Sequence, residues 1–263
     1  TSVNEASSGN TDTFTVVLDM QPAPGNNVVV TVTPDDTSEA QVNGTSPKTL
    51  TFTSSNWNTA QTVTVTGVDD DVDDGDQTVA LTIAVVDASS YDPYDSVSNE
   101  TVLVTVVDDD TAGFTLSGTT ASVSETGTTD TFTVVLDSEP TGTVVFAISS
   151  ADTGEATVSP AALTFTSSNW DTAQTVTVTG IDDSASDGNQ TTDVTVTVND
   201  SSTADSTYDA LSDRTVAVTT ADDDSPGFTV AASGGATTVS ETGTTDTFTV
   251  VLNAQPTSDV VFD

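Results

Sequence analysis

The chain has 263 residues, with 41 Asp and Glu against 2 Lys and Arg, no His, no Cys and a formal net charge of −39 at pH 7. Lys48 and Arg214 cannot build the basic patch that displaces phosphate counterions, which excludes nucleic acid and anionic membrane surfaces as partners. The composition also excludes His-based catalysis, His or Cys metal ligation and disulfides, and no run approaches the 18 apolar residues of a membrane span.

Low hydrophobicity with high net charge also describes disordered chains. Here the pattern argues otherwise. The apolar residues are mostly Val, Phe, Leu and Ile, set in short runs that alternate with Thr, which is strand composition.

The chain is built of repeats. SETGTTDTFTVVL stands at 124–136 and again at 240–252, and its core DTFTVVL stands at 12–18. LTFTSSNW occurs at 50–57 and 163–170, and each copy runs on into TAQTVTVTG. A DDD run closes each unit at 108–110 and 222–224, and the period is near 114–116 residues.

Taken in chain order, residues 1–110 form repeat 1, which lacks the Gly-Phe-Thr-Leu segment that opens the next unit. Residues 111–224 form a complete repeat 2. Its predicted strands are A at 113–117 with a continuation near 121–123, B at 131–137 and C at 143–149. D follows near 155–158 and 162–166, E at 174–181, F at 191–198 and G at 214–220. Residues 225–263 hold the first strands of a third unit. Seven short strands per unit, with one wet and one buried face, predict an all-β fold of tandem immunoglobulin-like sandwiches. No segment has helical periodicity. The part-units predict either a window of a longer tandem array or a subunit whose part-units complement each other between molecules, since residues 226–231 carry what repeat 1 lacks. Trp57 and Trp170 follow a Ser-Ser-Asn turn and are expected to plug the sandwich end.

The acids gather in the predicted loops. Repeat 2 has Glu125 before strand B, Asp152 after C, Asp182, Asp183 and Asp187 after E, and Asp222, Asp223 and Asp224 after G. Repeat 1 has Glu5, Asp36, Asp69, Asp70, Asp74, Asp108, Asp109 and Asp110 in register. In a Greek-key sandwich these loops can share one end. Eight carboxylates there repel one another by several kcal/mol, and no basic residue is near to offset them. The expected counter-charge is a hard divalent cation bound by oxygens, Ca²⁺ rather than Mg²⁺. A halophilic surface would instead place acids on outward strand positions, where this chain has Thr. An EF-hand fails: with Gly188 at its sixth position, the third and twelfth fall on Ala185 and Val194.

These residues carry a family resemblance. S-E-x-G at 124–127, G-x-D-D-x-x-x-D-G at 180–188 and the DDD at 222–224 resemble the Calx-β domain, the calcium-binding sandwich of sodium–calcium exchangers and of giant bacterial surface proteins. Repeat 1 matches at 67–75 and 108–110, with Asn-Glu-Ala at 4–6 as its opening. The resemblance implies Ca²⁺ as cofactor and carries the family's ligand positions onto Glu125, Asp152, Asp182, Asp183, Asp187 and Asp222 to Asp224. It departs at Asp187 and Asp74, where the family has Glu.

Other patterns carry less. The Thr-x-Thr arrays at 62–66 and 175–179 suit an exposed strand face. Asn43, Asn99, Asn189 and Asn199 head glycosylation sequons that a Thr-rich chain forms by chance. A glycosidase pair of carboxylates needs an apolar pocket, and here the same acids recur with the scaffold, so no enzyme is expected. The expected function is a calcium-stiffened spacer of an extracellular or cell-surface repeat protein. The alternative is a self-assembling filament or sheath subunit. The expected partners are neighbouring repeats of the same chain or identical chains.

Overall fold

The structure, a computed structural model, describes residues 1–6, 10–44 and 46–263. Thr45, and with it the Asn43 sequon, lies outside the described residues. Among the described residues, regular structure is β apart from three single-turn 3-10 segments at Asp87–Ser89, Asp92–Tyr94 and Ser233–Gly235. The chain forms two compact units, Thr1–Ala112 and Gly113–Asp263.

Unit 1 contains β1 (Ser2–Asn4), β2 (Thr11–Val16), β3 (Asn27–Pro34), β4 (Ala40–Val42), β5 (Lys48–Thr53), β6 (Gln61–Gly67), β7 (Gln77–Val85) and β8 (Glu100–Val107). They pair as a five-stranded sheet, β1-β8-β7-β3-β5, and a three-stranded sheet, β2-β6-β4. The Val–Thr alternation fixes the faces: Val28, Val30 and Val32 of β3 are buried, while Val29 and Thr31 between them are half-exposed. Phe52 and Val104 from one sheet and Val63 and Val65 from the other join a single core. That burial drives the two sheets together.

Unit 2 contains β9 (Phe114–Leu116), β10 (Thr120–Ser124), β11 (Thr129–Leu136), β12 (Val144–Ser150), β13 (Ala156–Ser159), β14 (Ala162–Phe165), β15 (Gln174–Gly180), β16 (Gln190–Val198) and β17 (Arg214–Ala221). The sheets are β10-β17-β16-β12-β14 and β13-β15-β11-β9. Phe114 of one sheet meets Phe146 of the other at 4.7 Å between ring centroids, and Phe146 meets Phe165 edge-on at 5.9 Å. All three rings are at most 1% exposed. After them β18 (Phe228–Ala232) and β19 (Phe248–Leu252) form a separate two-stranded ladder.

The strands fall near where the alternation places them, with two differences: strand D is two strands in opposite sheets, β13 beside β15 and β14 beside β12, and strand A is likewise divided. The continuation of strand A is a strand of its own, β10, and it belongs to the opposite sheet, paired in parallel with β17. The chain breaks at Ser117–Thr119, around Gly118, which lets it change sheets. Trp57 and Trp170 are half-buried. Their carbonyls accept the N–H groups of Leu18 and Leu136 at 3.1 and 3.2 Å, tying the turn to the end of the neighbouring strand.

Candidate metal centre

Strand register brings four segments to one end of unit 2. β10 and β17 are parallel, with Ser124 opposite Ala221, so the next residues, Glu125 and Asp222, leave the sheet side by side. The Glu125 N–H donates to the Ala221 carbonyl at 3.1 Å. β13 begins where the antiparallel β15 ends, with Ala156 opposite Gly180. Glu155 therefore lies beside Ile181–Asp183, and the Ile181 N–H donates to its carbonyl at 2.9 Å. β16 begins at Gln190 opposite Thr220, which sets the 187–189 turn against Asp222. The Gly188 N–H donates to Asp222 Oδ2 at 2.7 Å.

Unit 1 repeats this arrangement. Asn4 is opposite Val107, Ala40 opposite Gly67 and Gln77 opposite Val106. Glu5 thus meets Asp108, the Val68 N–H donates to the Glu39 carbonyl at 2.9 Å, and the Gly75 N–H donates to Asp108 Oδ2 at 2.7 Å.

One glycine makes the convergence possible in each unit. The end of β10 crosses the end of β15 in backbone contact, and a methyl group on Gly180 would collide with the Ser124 carbonyl oxygen. Gly67 stands in the same relation to the Asn4 carbonyl.

Three groups of carboxylates have oxygens that all lie within 4.8 Å of one another: Glu5, Asp108 and Asp110; Glu125, Asp223 and Asp224; and Glu155, Asp183 and Asp187. The two groups of unit 2 are linked, because Asp183 acts electrostatically on both Glu125 and Glu155. The charge of Asp222 acts on Glu125 and Asp224, that of Asp182 on Asp224, and that of Asp152 on Glu155. In unit 1, the charges of Asp74, Asp70 and Asp36 act on Glu39, and that of the exposed Asp109 acts on Asp110. Asp69 is exposed and belongs to none of the three groups.

Glu39 and Glu155 were absent from the sequence expectation. Their signal is a Glu-Ala pair three residues after Asp36 and Asp152, in register in both repeats.

The electrostatics are one-sided. Glu5 and Glu125 are 1% and 2% exposed. Burial raises the Glu5 carboxyl to about 8, with the adjoining Glu39 carboxyl and the charges of Asp70 and Asp108 adding to the rise. Burial, then Asp109 and Asp71, raises Asp110 to about 6. Glu125 and Glu155 are also raised, first by burial and then by surrounding carboxylates. Arg214 stands at the far end of β17 from Asp222, stacked over Phe114 at 4.9 Å.

The Oε2 atoms of Glu5, Glu39 and Glu155 are buried with no hydrogen-bond partner. A buried carboxylate oxygen without a donor is costly, and a cation removes that cost. The donor set is oxygen only, several carboxylates deep and carried on loops. It fits a hard divalent ion with flexible coordination.

No family model matches the chain, and no curated protein matches it. Solved structures give weak neighbours. Domains 4 and 5 of the S-layer protein SbsC are 17% identical over 73% of this chain and 70% of that chain, with a TM-score of 0.35. CBD12 from CALX1.2 is 15% identical over 74% of this chain and 75% of that one, with a TM-score of 0.31. SSP-19 of Caenorhabditis elegans, an MSP-domain protein like family member, is 16% identical over 41% of this chain and 97% of that one, with a TM-score of 0.29.

Proposed function

We propose that the chain is a calcium-stiffened spacer of a secreted or cell-surface protein. In this reading it is built of tandem seven-stranded, immunoglobulin-like sandwiches of the Calx-β type. Residues 1–110 and 111–224 are successive repeats, and residues 225–263 begin a third.

The observation that carries the reading lies in the loop between β15 and β16. This loop presents Asp183 and Asp187, and it is bonded to the start of the following repeat. The Gln255 N–H donates to the Ser184 carbonyl at 2.6 Å, and Ala185 forms a parallel bridge with Gln255. The Ser186 hydroxyl also donates to the Asp224 carbonyl at 3.3 Å. An ion held by Asp183, Asp187 and Glu155 fixes this loop, and the fixed loop holds the segment bonded to it.

Calcium is the ion in this reading because the ligands are carboxylates in number, and Mg²⁺ keeps its waters and takes few of them. Extracellular calcium modules bind with Kd on the order of 10⁻⁴ to 10⁻³ M. Calcium outside the cell fills such sites and cytosolic calcium does not, so stiffening follows export. The role is structural rather than catalytic, because the same acids recur with the scaffold. The partners are the neighbouring repeats.

Small-angle scattering of the chain with calcium and with EDTA tests the reading. The expected result is a longer, narrower distance distribution with calcium. An unchanged maximum dimension together with unchanged thermal stability would reduce the acids to a solvated surface.

A further inference from the structure

Two buried side chains of unit 2 break the alternation of their strands. The inward positions of β16 and β17 hold Val194, Val196, Val198, Val216 and Val218, but also Thr192 and Thr220, which are 6% and 1% exposed. A buried hydroxyl is costly unless it is bonded. Both are bonded, and both to one loop. The Asp152 N–H donates to Thr192 Oγ1 at 3.0 Å, and the Thr220 hydroxyl donates to the Glu155 carbonyl at 3.2 Å. The two hydroxyls thus hold the β12–β13 loop at its two acidic residues.

Unit 1 has valines at these places. Counted from Gln77 opposite Val106 and Gln190 opposite Thr220, the counterparts of Thr192 and Thr220 are Val79 and Val106, both buried. The backbone around the loop is alike in the two units: the Val68 and Ile181 N–H groups donate to the Glu39 and Glu155 carbonyls, each at 2.9 Å. The acids are alike too, since Asp36, Glu39, Asp70 and Asp74 match Asp152, Glu155, Asp183 and Asp187. What differs is the company of the loop's Glu. The Glu39 carboxyl adjoins that of Glu5, and among the described residues unit 1 gathers one group, Glu5, Asp108 and Asp110. Glu155 gathers with Asp183 and Asp187 instead, while Glu125 stays with Asp223 and Asp224 and accepts the Asp223 N–H at 3.4 Å. Glu5 Oε2 in one unit and Glu155 Oε2 in the other are buried acceptors without a donor.

We propose that Thr192 and Thr220 are positioning residues that hold Glu155 apart from Glu125, so that unit 2 takes two calcium ions where unit 1 takes one. This rests on the calcium reading of the acids given above. One ion of unit 2 lies among Glu125, Asp223 and Asp224, and the second among Glu155, Asp183 and Asp187. In unit 1, Val79 and Val106 give the loop no such anchors, and Glu39 joins Glu5 at a shared ion. Thr and Val are close in shape and differ by the hydroxyl, so the core packs alike in both repeats and only the hold on the loop changes. Groups that orient a metal ligand in this way act on affinity nearly as the ligand does.

Native mass spectrometry and isothermal titration of the full chain with calcium chloride test this. The wild type should bind three ions, one for each carboxylate group. Thr192→Val combined with Thr220→Val should weaken one of the three about tenfold. The fold tolerates this pair, since unit 1 has Val at both places. Thr192→Ser combined with Thr220→Ser keeps both hydroxyls and should hold the affinity within about twofold of the wild type. In a Glu155→Gln background the Val pair should have no further effect, because both changes act through one ligand. Unchanged affinity in the Val pair, an equal loss in the Ser pair, or a full second loss on top of Glu155→Gln overturns the proposal while leaving calcium binding in place. So does a wild-type count other than three. A wild type that takes up no calcium overturns the calcium reading itself, and the proposal falls with it.

Discussion

The Glu5 carboxyl adjoins that of Glu39 at the end of unit 1, Glu5 buried and Glu39 half-buried, among the charges of Asp70, Asp74 and Asp108. Two carboxyls in contact share a proton, because both cannot ionise cheaply at that separation. A cation bound there would do the work of that proton and would satisfy the orphaned Oε2 atoms of both residues.

This makes the stability of unit 1 depend on pH in opposite ways with and without metal. Glu5 titrates near 4.5 when unfolded and at about 8 when folded. The folded state thus holds more protons between those values, and stability falls as pH rises through that window. In EDTA the melting temperature of unit 1 should be lower at about pH 8 than at about pH 5. Asp110, raised to about 6, adds to the fall. With excess calcium the trend should vanish or reverse, because the ion binds the ionised form and expels the proton. Calorimetry in buffers of different ionisation enthalpy should detect that proton release at about pH 7.

Glu155 and Asp69 should differ sharply as ligands. Glu155→Gln keeps the shape but removes a charge from the Glu155–Asp183–Asp187 group, and calcium affinity of unit 2 should fall about tenfold, or roughly 1.4 kcal/mol. Asp69→Asn, at an exposed position outside every group, should change calcium affinity of unit 1 less than about twofold. Isothermal titration of each variant checks both outcomes.

Gly180→Ala should destabilise unit 2 and weaken its calcium binding together. The added methyl meets the Ser124 carbonyl, and overpacking of this kind costs about 1–3 kcal/mol. Relief requires β10 to shift, which moves Glu125 away from Asp223 and Asp224. Thermal unfolding and calcium titration of the same variant should report both losses. Full affinity in a destabilised protein would show that Glu125 is not a ligand.

Phe146→Ala should cost unit 2 about 3–5 kcal/mol. It removes the ring that joins Phe114 of one sheet to Phe165 of its own, and it leaves a cavity between the sheets. The melting of unit 1, which has Val30 at this position, should not move. Differential scanning calorimetry resolves the two transitions.

The local half of this protein is legible in its residues. Period-two alternation of Val and Thr fixes which face of each strand is buried, because successive side chains point to opposite sides of a sheet. Repetition then marks the unit, and the clustering of Asp in its loops marks the acidic end. The resemblance to Calx-β domains adds an expected fold type to this, and it carries eight expected ligand positions onto unit 2. Three of them, Glu125, Asp223 and Asp224, have carboxylate oxygens within 4.8 Å of one another, and Asp183 and Asp187 gather with Glu155 instead. Alternation is silent about which strands become neighbours. It could not show that β10 leaves its sheet to run parallel to β17, although that pairing is what sets Glu125 beside Asp222. Nor could it separate Asp69 from Asp70, adjacent residues of which only the second faces the buried carboxylates. Glu39 and Glu155 stand just before β4 and β13, where alternation assigns no role to a polar residue. They join the clustered acids only because an antiparallel register lays each beside the loop that follows β6 or β15. A side chain's face is decided by its own backbone, which the sequence carries. Its company is decided by register between distant strands and by close approach at Gly67 and Gly180, and only packing of the whole unit sets those.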